Sequence, residues 1–72
     1  MQILRRAVLL DYQNQSNREL IKEAMPALLN WAYENNCCSV AFKVSGEILG
    51  EGNTMYKGVE CKIEIGETHG TD

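Results

Sequence analysis

The segment I3-L-R-R-A-V-L-L-D-Y12 decides the fold, because its apolar residues fit two different periods. Ile3, Leu4, Ala7, Val8 and Leu10 would line one side of a helix, whereas Leu4, Val8 and Leu10 set against Ile3, Ala7 and Leu9 would make a strand that is apolar on both faces. No capping residue precedes the segment, and a two-stranded hairpin alone is a poor floor for the long helix that follows. A first strand is the economical reading. One of its two apolar faces then needs a cover, which a second subunit would supply.

Downstream, S16-N-R-E19 is a capping-box pattern in which the Ser16 hydroxyl accepts from the amide of Glu19 and the Glu19 carboxylate accepts from the amide of Ser16. From Asn17 onward, at 100° per residue, Leu20, Ile21, Ala24, Met25, Ala27, Leu28, Trp31 and Ala32 share one arc, as an amphipathic helix on a sheet requires. Pro26 falls on the polar side, where the carbonyl of Lys22 can be hydrated, so the spacing predicts one bent helix over about 17–35. A split into two helices at Pro26 is the alternative. Asn35 or Asn36 is suited to the left-handed conformation that ends the helix.

Beyond the helix, Cys38, Val40, Phe42 and Val44 alternate with Ser39, Ala41, Lys43 and Ser45, the period of a half-buried strand. After turn residues in L49-G-E-G-N-T54, Met55, Lys57, Val59, Cys61, Ile63 and Ile65 alternate with Tyr56, Gly58, Glu60, Lys62 and Glu64. Joined by Gly50–Asn53, the two strands form an antiparallel hairpin. The predicted fold is α+β with order β-α-β-β: one bent helix packed on a three-stranded sheet, a single domain over 1–66 and a flexible tail over 67–72. By the alternation, Cys38 belongs with the core and Cys37 points the other way.

The 72 residues are 44% hydrophobic and 24% charged, which suits a folded domain. A chain this short buries only about 60 per cent of the surface its unfolded form exposes, so a homodimer or a host partner would help to stabilise it. The longest apolar run is A7-V-L-L10, far below the roughly 20 residues of a membrane span, and the first residues lack the pattern of a signal peptide. With three cysteines and no disulfide spacing, a reducing, cytoplasmic setting is expected.

Charge is distributed unevenly. Residues 1–36 balance, so the net charge of −3 belongs to the second half, where Glu47, Glu51, Glu60, Glu64, Glu67 and Asp72 outnumber Lys43, Lys57 and Lys62. Such a surface repels phosphates and attracts basic proteins, and the Arg5-Arg6 pair is a weak cue for nucleic acid in an acidic chain.

Catalytic and cofactor patterns are missing from the sequence. Cys37 and Cys38 are adjacent, without the two to four intervening residues of zinc-binding cysteines, and no C-x-x-C redox motif occurs. His69, the one histidine, stands in the polar E67-T-H-G-T-D72 tail with no nucleophile placed to use it. G46-E-I-L-G-E-G52 has the glycines of a phosphate loop but two glutamates and no motif lysine, and reads as a turn. No cofactor, metal or enzymatic activity is expected.

What remains is recognition by surface. Leu29 and Tyr33 sit one turn apart at the rim of the apolar arc, and Tyr56 adds an aromatic group of the kind that dominates interfaces. Glu47, Glu51, Glu60, Glu64 and Glu67 would mimic part of a phosphate backbone against a basic groove, although solubilising an edge strand is an equal use for them. The chain is expected to be a non-enzymatic protein-binding protein, in the manner of phage or mobile-element inhibitors that block a host nucleic-acid-handling or defence complex. A regulatory or antitoxin-like module using Arg5, Arg6 and Arg18, or an accessory subunit of a larger enzyme, are the alternatives.

Overall fold

A computed structural model describes residues 1–66. The tail expected over 67–72, with Glu67 and His69, lies outside the described residues. In chain order the elements are β1 (Gln2–Asp11), α1 (Asn17–Glu34), β2 (Ser39–Val44), β3 (Ile48–Leu49) and β4 (Met55–Ile65), with a single 3-10 turn at Glu51–Asn53. The fold is α+β: one helix covers an antiparallel sheet whose main strands run β1-β4-β2, with β3 pairing the start of β4. The expected sheet of three strands therefore gains a short fourth.

The ambiguous first segment is a strand from Ile3 to Asp11. Its register against β4 runs from Gln2 opposite Ile65 to Asp11 opposite Tyr56, which sets Leu4, Val8 and Leu10 toward the helix and Ile3, Ala7 and Leu9 on the other face. β4 is central because it alone pairs on both edges, and its Val59, Cys61 and Ile63 are wholly buried beneath α1.

The helix starts where the capping box places it. Ser16 Oγ accepts from the Glu19 amide at 3.2 Å, and Glu19 Oε1 accepts from the Ser16 amide at 2.9 Å. Removing the hydroxyl with Ser16→Ala is expected to cost about 1 kcal/mol, a fall of roughly 4–8 °C in the melting midpoint for a domain of this size, measured by circular dichroism.

The helix continues unbroken through an exposed Pro26, so the split into two helices does not occur. Its buried stripe is Leu20, Ala24, Leu28 and Ala32, each four residues from the last, and the two alanines let the backbone approach the sheet closely. Ile21 and Trp31 are half-buried against this core, while Ala27, expected within the arc, is exposed.

The helix ends on Asn36 at φ 55°. The Cys37 amide donates to Ala32 O at 3.4 Å and the Asn36 amide to Tyr33 O at 3.0 Å, the paired bonds of a Schellman motif. That motif corrects the expected thiol placement. The residue after the left-handed one is turned back onto the helix, so Cys37 packs against the core, and Cys38 is exposed, donating its thiol to Glu64 O at 3.3 Å. Regular alternation begins only at Ser39, and from Val40 it runs as expected.

Candidate functional site

Because α1 occupies one face of the sheet, the other face is bare. The registers lay it out in rows: Ile3, Glu64 and Ser39; Arg5, Lys62 and Ala41; Ala7, Glu60 and Lys43; then Leu9 beside Gly58 and Asp11 beside Tyr56, with Ile48 across from Tyr56. Ile3 is 47%, Leu9 58% and Ile48 43% exposed. Ile3 stands apart at one end of the face, beyond the Arg5 and Lys62 row, whereas Leu9 and Ile48 line the same groove and form an exposed apolar patch.

Within that face an open groove of about 540 Å³ is lined by Ala7, Val8, Leu9, Ile48 and Gly58, with Ser45, Lys43 and Glu60 among its polar lining residues. Its shape comes from an interruption in the hairpin. β2 stops at Val44, and at Ser45, the next residue in register, the side chain replaces the backbone carbonyl: its amide donates to Gly58 O at 2.9 Å, and its Oγ accepts from the Gly58 amide at 2.8 Å and donates to Gly46 O at 3.0 Å. The chain steps out through Gly46 and Glu47 and rejoins β4 as β3, which sets Ile48 along one side of the groove. Gly58 forms the floor, where a side chain would stand in the groove.

The acidic residues do not form one continuous array. Glu60 lies directly opposite Lys43, and Lys62 separates Glu60 from Glu64 with Arg5 across from it, so the middle of the face alternates in sign. Glu47 and Glu51 are exposed beside the turn, at the end of the sheet that also carries Asp11. Acidity is therefore concentrated at the hairpin end.

The remaining candidates separate. Tyr56 is half-buried, and its ring covers Gly50 so closely that a Cβ there would collide with it; the same turn is closed by the Gly50 amide donating to Thr54 O at 2.7 Å. Tyr56 thus braces the turn beside the groove. Leu29 is half-buried and Tyr33 is 70% exposed, both on the helical layer, so neither joins the bare sheet face. At the acidic end Lys57 Nζ sits 4.3 Å from the Tyr12 ring centroid on the helical side.

Comparison with protein-family models, curated proteins and solved structures finds no match to this chain.

Burial, and then the neighbouring Cys37, push the Cys61 thiol above its ordinary value of 9.0, which keeps it protonated and un-nucleophilic. Among the described residues no group of three or more His, Cys, Asp and Glu side chains is placed to hold a metal ion, and no helix is long and apolar enough to cross a membrane. The sequence reading passed over Ala7, Leu9, Ile48 and Gly58 as a group. The two-faced apolarity of the first segment was the available signal for Ala7 and Leu9.

Proposed function

We propose that this chain is a non-enzymatic protein-binding protein that docks through the bare face of its sheet. The groove between Leu9 and Ile48 over Gly58 carries the reading: it is apolar, exposed and framed by the charges of Lys43 and Glu60, which suits an apolar anchor side chain of a partner with polar contacts around it.

The inhibitor reading is proposed in narrower form. Asp11, Glu47 and Glu51 at the hairpin end would meet basic groups of the partner, so the chain would cover part of a basic, nucleic-acid-handling surface of a host complex. Charge steers such an encounter, while the groove holds it. Alternating charge along Glu60, Lys62 and Glu64 weighs against extended phosphate mimicry.

The test is affinity capture from host lysate with the wild type, Ile48→Glu and Gly58→Val, at low and high salt. Ile48→Glu places a charge on the groove wall, and Gly58→Val fills its floor with a residue suited to a strand. Bound proteins that survive high salt on the wild type and disappear with both variants, whose circular dichroism stays native, are the expected result. The same proteins retained by both variants would exclude the groove, and capture lost only with salt would return the reading to phosphate mimicry.

A further inference from the structure

We infer that two copies of this chain pair antiparallel along β1, about a two-fold axis at Val8, to form one continuous sheet. β1 is an edge strand of ten residues with β4 on one side only. In an antiparallel ladder successive residues direct their N–H and C=O groups to opposite sides. Tyr12 donates its amide to Met55 O at 2.8 Å, so the even-numbered residues of β1 face β4. Ile3, Arg5, Ala7, Leu9 and Asp11 therefore direct their backbone groups outward.

The two edges of the sheet differ. The β2 edge is only six residues long before it is broken at Ser45–Glu47, a common way of blunting an edge. β1 has no proline, glycine or bulge in Gln2–Asp11, so its outward groups form an unbroken template. Extended strand edges of this kind pair with another strand, and self-pairing requires that the sequence complement itself about the axis.

It does so in one register. With Val8 on the axis, Arg5 faces Asp11 of the partner subunit, and the symmetry repeats this ion pair. Ala7 faces Leu9 of the partner subunit, and on the helical side Leu4 faces Tyr12 of the partner subunit. Moving the axis to Ala7 sets Asp11 against Ile3 of the partner subunit. Moving it to Arg6 sets two guanidiniums against each other, which is unfavourable. The Val8 register also brings Ala7 and Leu9 of both copies into one apolar stripe across the bare faces, joining the two grooves. This pairing is independent of what the grooves bind.

The experiment is sedimentation of the full chain over a concentration series, with circular dichroism on each variant. The wild type is expected to dimerise. Ala7→Pro removes only an outward N–H, which an edge strand tolerates, so it is expected to be monomeric with a native spectrum, whereas Val8→Pro breaks the ladder to β4 and unfolds. Arg5→Asp and Asp11→Arg are each expected to weaken the dimer about tenfold or more, and the double variant R5D/D11R to restore it. Should Ala7→Pro fail to fold, the charge exchange decides alone. A wild type that stays monomeric, a dimer that persists in folded Ala7→Pro, or a double variant no tighter than the singles overturns the inference.

Discussion

Leu28→Ala is expected to lower the melting midpoint by about 12–24 °C and to leave a large fraction of the chain unfolded near room temperature. Leu28 is 1% exposed, in the middle of the stripe that meets Val59, Cys61 and Ile63. Truncating a buried leucine costs about 3 kcal/mol or more, in lost transfer energy and in the cavity left behind. In a domain this small each kcal/mol is worth roughly 4–8 °C, and a single core of this size rarely supplies more than about 3–5 kcal/mol. The neighbouring alanines of the stripe carry only a methyl group, with no rotatable side chain to swing into the void. Leu29→Ala, one position on and outside the buried cluster, is the matched control, with an expected cost of about 1 kcal/mol or less. Thermal melts followed by circular dichroism decide between them. A Leu28→Ala midpoint within a few degrees of the Leu29→Ala midpoint would show that the helix does not bury this face.

The capping box and the period of the helix were legible in the sequence because both are local: Ser16 and Glu19 are three residues apart, and the buried stripe repeats every four. The strand alternation at Val40, Phe42 and Val44 was legible for the same reason. The bare face was half legible. Two-sided apolarity at Ile3, Ala7 and Leu9 marked a surface that the helix would not cover, but the groove also needs Ile48, whose place depends on the Ser45 side chain standing in for the backbone carbonyl. Nothing in the alternation of either strand announces that substitution. The acidic residues were legible as a count and not as an arrangement, since the cross-strand register alone sets Lys43 against Glu60 and Arg5 against Lys62. A sum of charges over the second half therefore overstated the acidity of the sheet face.

The same distinction governs the three cysteines, and their labelling rates are expected to differ by orders of magnitude. Alternation extrapolated backward from Val40 places Cys38 in the core, but the Schellman turn at Asn36 interrupts the extended backbone before the strand begins, and burial passes to Cys37. With a thiol-specific alkylating reagent under native conditions, exposed Cys38 is expected to react first and Cys37, packed against the core, more slowly. Cys61 is 0% exposed and reacts only when the sheet opens. Opening free energies of about 3–5 kcal/mol make it roughly 10²–10⁴-fold slower than Cys38. Its raised pKa acts in the same direction, because the closed form holds almost no thiolate at neutral pH. Time-resolved mass spectrometry of the labelled peptides separates Cys61 from the other two, and Cys38→Ser resolves the adjacent pair by removing the fast phase. Fast labelling retained in Cys38→Ser would return Cys37 to the surface and place the start of β2 one residue earlier. Cys61 reacting within tenfold of Cys38 would mean that the helix leaves the sheet far more often than a core of Leu20, Leu28, Val59 and Ile63 permits.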